Sequence, residues 1–231
     1  KGANLPLSET FEGASYPPSG WSEFDDTNDA VKWELTSAAS GFGVGAQSVY
    51  FNNWSQNATG KKDEIRTARY NGESYNSISL TFDVAYWTYT NQSYQDSLQV
   101  LMSTDCGVTF TQVYNKGGAT LSTVAGQSTT SFTPTSTQWR KETVNLNAYI
   151  GQSFLLAFRN VARYGNNLYL DNISVNATVA SNAYNIMKEL ALNFGYAITI
   201  NNVQPGQDYS ASSAGTKYRA ALAKLANDYP N

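Results

Sequence analysis

Acidic side chains and amides form three short groups in the sequence, and these groups suggest metal binding. The first contains Glu12 in "TFEG", the second is "FDDTND" at residues 24–29, and the third is the pair Asp171 and Asn172. Calcium takes about six to eight hard oxygen ligands from carboxylates, amides and backbone carbonyls, so such groups suit it. None has the glycine and closing glutamate of a helix-loop-helix calcium loop, and "DDTND" also fits a solvated turn closed by Asx hydrogen bonds.

The stretch "YGNNLYLDNISV", residues 164–175, changes face at its acidic residue. Leu168 and Leu170 alternate as one face of a strand does, whereas Ile173 and Val175 alternate with the opposite parity. The change falls at Asp171 and the following asparagine. This pattern indicates a strand with an irregularity beside a carboxylate.

The composition excludes several classes of function. The 231 residues contain no histidine and one cysteine, so the usual triads, most zinc sites and an internal disulfide framework are excluded. Charged residues make up only 14%, the net charge is −3 and the basic residues are scattered, which argues against a nucleic-acid partner. No run of 18 apolar residues occurs, so we expect no membrane span. Abundant hydroxyl, amide and tyrosine side chains favour an extracellular β-protein.

Short alternating segments predict an all-β fold for residues 1–177. Strands at this spacing, separated by Gly, Asn and Ser turns, indicate an antiparallel two-sheet sandwich. Two polar segments, residues 52–63 and 122–137, are interpreted as loops. The predicted strands are 31–36, 48–53, 79–89, 96–105, 108–114, 139–146, 152–161 and the stretch quoted above.

The pattern changes near residue 178. Residues 181–194 and 212–230 have apolar residues at helical spacing, and "GYAITINNV" between them is a predicted strand. We therefore expect residues 178–231 to form a separate α-β-α segment, whose role the sequence does not indicate.

Several aromatic residues are candidates for ligand binding. Trp54 lies in a polar loop, and Trp87 lies opposite the apolar face of its strand, with Tyr89 and Tyr94 close by. Exposed rings of this kind stack on sugars, so these four residues form a predicted glycan site. The alternative is that the tryptophans pack under loops or between the sheets.

Catalysis is not favoured. Cys106 in "STDCGVTF" has no histidine to activate it, so a turn or buried thiol is the better interpretation. Paired carboxylates could serve a glycosidase, but the acidic pairs here suit a metal better. We expect a protein that is not an enzyme.

Ordered segments over residues 5–177 resemble a known family. "LPLSETFEGASYPPSGW", "DDTNDAVKWE", "KKDEIRTA", "SYQDSLQVLMSTDCGVTFTQVYNKGGATLST", "FTPTSTQWRKETVNLNAYIGQSFLLAFRN" and "YGNNLYLDNISV" are similar to jelly-roll modules of secreted Bacteroidetes proteins. These are the cleaved-adhesin, choice-of-anchor-J and MAM-like domains. Where the family has a proline after its "D-x-L-x-S/T" block, "DEIRTA" has Ala68, although Asp63 fills the acidic position.

The resemblance implies a jelly roll whose first and last strands are neighbours. It also implies a structural calcium ion near Glu12 and Asp171. On this basis we expect the parity change to be a bulge that turns the Asp171 carboxylate toward Glu12, with a cation relieving their repulsion. Further oxygens for the ion are expected from a set of other candidate ligands: Asp25, Asp29, Asn52 and Asp63.

The resemblance further implies a secreted or cell-surface module exported by type IX secretion. We expect a non-catalytic, calcium-stabilised binding or adhesion module for a glycan or a cell-surface protein, linked to other domains of a larger secreted polypeptide. The alternative is a structural accessory domain of a large secreted protease, such as a metallopeptidase, or of a glycosidase.

Overall fold

A computed structural model describes residues 2–73 and 75–178. The predicted α-β-α segment of residues 178–231 lies outside the described residues, except that Thr178 still belongs to the last described strand. The boundary expected after residue 177 therefore stays a prediction.

The described residues form thirteen strands, one short helix and two 3-10 turns. The strands are β1 (Ala3–Asn4), β2 (Leu7–Glu9), β3 (Ser22–Phe24), β4 (Glu34–Thr36), β5 (Ser48–Phe51), β6 (Lys62–Arg66), β7 (Tyr70–Asn71), β8 (Ser77–Tyr86), β9 (Ser97–Ser103), β10 (Thr111–Gly117), β11 (Arg140–Asn145), β12 (Ser153–Val161) and β13 (Leu168–Thr178). The helix is α1 (Gly118–Leu121), and the 3-10 turns are Gly41–Gly43 and Asn147–Tyr149. The predicted strands do not include β1, β2, β3, β6 and β7, which are short or rich in charged residues.

Two sheets form the sandwich that the sequence predicts. The seven-stranded sheet has the order β1-β7-β12-β6-β3, with β9 also paired to β12 and β10 to β9. The six-stranded sheet has the order β11-β8-β13-β5-β4, and β2 also pairs with β13. The first strands of the chain therefore meet its last described strand, and the jelly-roll prediction is confirmed. The pair β1 and β7 is parallel, and the other pairs are antiparallel.

Alternation along β8 builds the core between the sheets. Leu80, Phe82 and Val84 are fully buried, as their parity predicts. The ring of Phe82 lies 5.5 Å from the ring of Phe158 on β12, edge to face, and this contact joins the two sheets. Trp33 is also fully buried and donates its indole N–H to the Asp63 carbonyl at 3.3 Å.

The polar segment of residues 122–137 covers part of the six-stranded sheet. Phe132 in this segment is 3% exposed and packs with Trp139 and Tyr169 in a second apolar cluster outside the main core. The backbone N–H of Phe132 donates to the Asn166 side chain at 2.9 Å. A loop that is polar in composition is therefore fixed by one buried ring and by hydrogen bonds.

The parity change in β13 is a bulge, as predicted. Leu168–Leu170 pair with β5, whereas Ile173–Val175 pair with β2. Between Asp171 and Ser174 the register against β8 shifts, and Asn172 takes a φ of 50°. Because the apolar residues on both sides of the bulge are fully buried, the shift keeps both halves of the strand facing the core.

Candidate functional site

The Asp171 carboxylate lies at the point where β13 exchanges one neighbour strand for another. Its Oδ2 accepts the backbone N–H of Gly41 at 2.6 Å, and its Oδ1 accepts the N–H of Asn172 at 2.7 Å. The residue is 1% exposed. A buried carboxylate with two backbone donors fixes the bulge and the 3-10 turn that contacts it.

Other carboxylates surround Asp171. In the register of β13 and β8 it stands directly opposite Asp83. Burial raises the pKa of Asp171 to about 6, and the charges of Asp83 and Glu12 add to this rise, whereas the N–H donors of Gly41 and Asn172 oppose it. The Lys141 ammonium, 3.3 Å from Oδ1 of Asp83, offsets part of this negative charge, and a bound cation would offset more of it.

Glu12 contacts the same loop as Asp171. The Oε1 atom of this exposed glutamate accepts the backbone N–H groups of Ala46 and Gln47 at 2.8 and 2.9 Å. Residues 41–47 are thus fixed at one end by Asp171 and at the other by Glu12. Glu12 and Asp171, which are predicted to bind one calcium ion, therefore both accept hydrogen bonds from the backbone of this loop.

Two glycines allow these close approaches. A Cβ on Gly41 would collide with the side-chain amide of Asn172, and a Cβ on Gly45 would lie 2.5 Å from Oε1 of Glu12. Gly45 also has a φ of +84°, which disfavours any other residue. The loop is therefore closed tightly around its two carboxylates.

The "FDDTND" segment forms a separate acidic group. Asp25 accepts backbone N–H groups from Thr27, Asp29 and Ala30 at 2.9–3.2 Å, so the segment adopts the Asx-bonded turn that was the alternative interpretation. The Asp29 carboxylate pairs with Lys61.

Asp63 lies beside this turn and is fully buried. Its Oδ1 accepts the N–H of Asp26 at 3.0 Å, and its Oδ2 is buried with no hydrogen-bond partner among the described residues. Burial raises the pKa of Asp63, and the charges of Asp25 and Asp26 add to the rise. An orphaned carboxylate oxygen of this kind is a possible metal ligand.

The six predicted metal ligands therefore lie in three separate places. Glu12 and Asp171 contact residues 41–47, whereas Asp25, Asp29 and Asp63 lie at the acidic turn. Asn52, the sixth, accepts the backbone N–H of Ser55 at 3.0 Å within its own turn. Within residues 2–73 and 75–178, no three His, Cys, Asp or Glu side chains gather closely enough to bind a metal ion. The oxygen donors fit the chemistry of calcium, but backbone carbonyls and water would have to supply several of its ligands.

Three of the four predicted aromatic residues are brought together, and a fourth ring joins them. The ring of Trp54 lies 5.8 Å from Tyr89, Tyr89 lies 6.3 Å from Tyr94, and Tyr94 lies 6.1 Å from Tyr164. Tyr94 and Tyr164 are 39% and 40% exposed. We call these four residues the aromatic row.

Trp87 does not join the aromatic row. Trp87 follows directly after β8, and its side chain packs on the second apolar cluster, where its ring lies 6.1 Å from Phe132. Its indole nitrogen is buried and has no hydrogen-bond partner among the described residues. Trp87 therefore packs between the sheet and the loop of residues 122–137, as the alternative interpretation of this residue expects.

Asp96 positions one end of the aromatic row. This fully buried carboxylate accepts backbone N–H groups from Arg163, Gly165 and Asn166 at 2.7, 3.4 and 2.8 Å. It also accepts the hydroxyl of Tyr86 at 3.1 Å. The loop that carries Tyr164 is therefore attached to the segment that carries Tyr94, two residues before Asp96.

Further contacts fix both ends of the row. Asn167 accepts the backbone N–H of Trp54 at 3.3 Å. A Cβ on Gly165 would collide with the backbone carbonyl of Tyr94. Tyr164 takes a φ of 60°, a strained conformation for a bulky residue, and its exposed ring is kept there by its anchored neighbours.

The sequence pattern misses Asp96, Asn166 and Asn167 as positioning residues and Tyr164 as part of the row. Asp96 is interpreted only as the start of a strand, and Asn166 and Asn167 only as part of the stretch "YGNNLYLDNISV". The sequence signal that could have indicated these residues is a run of polar residues directly before a buried strand. It does not say which distant backbone donors such residues will meet.

We expect Asp96→Asn to lower the free energy of unfolding by about 3 kcal/mol, since an amide turns a donor toward buried N–H groups. Urea unfolding followed by tryptophan fluorescence measures this. Asp26→Asn is the matched control, because Asp26 is exposed. An unchanged midpoint for the Asp96 variant would contradict this role.

The raised pKa of Asp171 predicts how stability depends on pH. The folded state binds this proton more tightly than the unfolded state does, so stability is gained as pH falls through about 6 toward the ordinary carboxyl range. In chelator, acidification from pH 7 to 5 should add about 1 kcal/mol through this group. Urea unfolding at several pH values should give a flatter profile for Asp171→Asn. Parallel profiles for the two proteins would show that Asp171 does not titrate in this range.

Comparison with known proteins supports the fold. No protein-family model matches the sequence, and no curated protein matches it either. Among solved structures, a cleaved adhesin domain of Lys-gingipain from Porphyromonas gingivalis W83 matches with a TM-score of 0.56 at 19% identity, over 75% of this chain and 99% of that domain.

Two further cleaved adhesin domains of Lys-gingipain are similar. One has a TM-score of 0.51 at 18% identity, over 74% of this chain and 97% of its own, and the other has 0.50 at 19%, over 74% and 98%. The resemblance inferred from the sequence is thereby confirmed at the level of fold: the described residues form a jelly roll similar to those of these domains.

Proposed function

We propose that the chain is a non-catalytic extracellular module that binds a glycan through the aromatic row. The observation that carries this proposal is the contiguous set of four rings, two of them about 40% exposed, on loops anchored by buried polar residues. Rings that are rigid before a ligand arrives lose little conformational entropy when it binds. The similarity to cleaved adhesin domains supports a binding role.

A second candidate function is a structural accessory domain of a larger secreted protein. One observation favours it: Arg66 on the seven-stranded sheet lies between the rings of Phe24 and Phe110, at 4.4 and 5.0 Å from their centroids. Phe24 is 40% exposed. Aromatic and arginine side chains of this kind are common anchors of protein interfaces, so this face suits a neighbouring domain.

We include calcium in the proposal as a stabilising ion at Glu12 and Asp171. Support comes from the raised pKa of Asp171 and from the proximity of Asp83 and Glu12. A bound divalent cation would offset their mutual repulsion and strengthen the attachment of residues 41–47 to the sheet. Mg²⁺ is less suitable, because a loop-built site rarely gives the tight octahedron that it requires.

The proposed setting is the cell surface or the extracellular space, with type IX secretion as the proposed route. Among the described residues, none of the helical segments has the length and apolarity needed to cross a membrane. The low charge content and the hydroxyl-rich composition support an extracellular setting.

We expect Tyr94→Ala to weaken glycan binding by about 1–3 kcal/mol, the usual loss for one large contact. A glycan array with the full chain selects the ligand, and calorimetry measures its dissociation constant. Phe24→Ala removes an equally exposed ring in β3, outside the aromatic row, and should leave the constant unchanged. Trp87→Ala should lower stability rather than affinity. An array on which no glycan binds would contradict the proposal.

Calcium should raise the thermal midpoint. Binding to the folded state alone, at about a hundred times the dissociation constant, adds roughly 2.7 kcal/mol. For a domain of this size that corresponds to about 5–10 °C. Differential scanning fluorimetry with calcium or chelator measures the shift, which Asp171→Asn should largely remove and Asp26→Asn should keep. A midpoint that responds to neither calcium nor chelator would contradict the metal.

A further inference from the structure

A groove of about 420 Å³ lies on the outward face of the six-stranded sheet. Its floor includes Thr81 and Asp83 of β8, whose side chains alternate along the strand with those of the core residues Leu80, Phe82 and Val84. Its wall is formed by the 3-10 turn Gly41–Gly43 together with Val44. The volume falls within the range of about 300–1,000 Å³ that is usual for small-ligand sites. None of the lining residues belongs to the aromatic row, so the groove is a separate feature.

Hydroxyl groups cross the floor of the groove in register. Ser8 on β2 pairs with Ser174 on β13, and Ser174 pairs with Thr81 on β8. All three line the groove, and neighbouring strands place them about 5 Å apart. The side chain of Asn172 and the hydroxyl of Thr10 stand beside them. The Ser174 hydroxyl donates to the Leu7 carbonyl at 3.1 Å and is left as an acceptor, whereas Ser8 and Thr81 offer both donors and acceptors.

Phe42 supplies an exposed aromatic surface on the wall. It takes a φ of 53°, which is strained for a bulky residue, and it is 42% exposed. The left-handed conformation costs free energy in a bulky residue, and residues in such conformations cluster at ligand-binding positions.

Two contacts fix the backbone on either side of Phe42. On one side, the N–H of Gly41 donates to the buried Asp171 carboxylate at 2.6 Å. On the other side, a Cβ on Gly43 would lie 2.9 Å from the Cβ of Ser136, so the turn packs closely on the loop that covers the sheet. The ring is thus presented by a rigid backbone and not by a free loop.

The charges of the groove select against an anionic ligand. Lys141 is the cation among the lining residues, and its Nζ already lies 3.3 Å from Oδ1 of Asp83. Asp83 is 1% exposed and also accepts the Asn172 amide at 2.8 Å. An anion would find no unpaired positive partner, whereas a neutral polyol would find hydroxyls and an amide.

We propose that this groove is a second binding site, specific for a neutral carbohydrate, in which Phe42 stacks on a sugar ring while the hydroxyls of Ser8, Thr81 and Ser174 bond to the sugar. This site goes beyond the proposed function, because it uses other residues than the aromatic row and is independent of any ligand there.

The test is amide chemical-shift mapping on the isotope-labelled full chain. The probes are three neutral oligosaccharides, cellohexaose, xylohexaose and mannohexaose, and one anionic oligosaccharide, hexagalacturonate, each at about 10 mM so that millimolar affinities are detected. We expect at least one neutral probe to shift the amides of Phe42, Thr81 and Asn172. Phe42→Ala should raise its dissociation constant about tenfold.

Matched variants distinguish the groove site from the aromatic row. Phe24→Ala removes a ring of similar exposure on the opposite sheet and should change nothing, and Tyr94→Ala should leave the groove shifts intact. Absence of groove shifts with all three neutral probes would overturn the proposal, as would tighter binding of hexagalacturonate or an equal loss in Phe24→Ala. Shifts confined to the aromatic row would overturn the groove site while supporting the proposed function.

Discussion

Buried carboxylates that accept backbone N–H groups carry much of the organisation of this sandwich. Asp171 attaches a 3-10 turn to the bulge of β13, and Asp96 attaches the loop before β13 to the loop before β9. In each case one side chain satisfies several donors that would otherwise be buried unpaired, which is costly in a low-dielectric interior. In a chain with a single cysteine, these charged hydrogen bonds tie together segments that are distant in sequence.

At both Asp171 and Asp96, the backbone beside an exposed aromatic ring donates to the buried carboxylate. Phe42 follows the glycine that donates to Asp171, and Tyr164 lies between two residues that donate to Asp96. Both rings are about 40% exposed, and both backbones take left-handed conformations. A residue in a strained conformation keeps it only where its neighbours are fixed. The buried carboxylates Asp171 and Asp96 therefore determine where these two rings lie on the surface.

Much of the fold follows from local pattern. The alternation of β8 predicts which of its residues face the core, and the parity change in "YGNNLYLDNISV" predicts the bulge at Asp171. Partners at long range do not follow from pattern: Gly41 is 130 residues from the carboxylate that it contacts. The placement of Trp87 could not be predicted either. Its parity gives its face, but whether that face is free depends on how residues 122–137 fold back, and a loop has no periodicity to indicate this.

The pairing of β2 with β13 affects the order in which the chain can complete its fold. Leu7–Glu9 find their sheet partner in Ile173–Val175, so the earliest part of the six-stranded sheet has no neighbour until nearly all of the described chain is available. The long loop that this contact closes makes it a late step, and it adds only three residue pairs to the sheet. In a chain made from its amino end, Leu7–Glu9 therefore cannot pair with their neighbour strand until Ile173–Val175 have been synthesised.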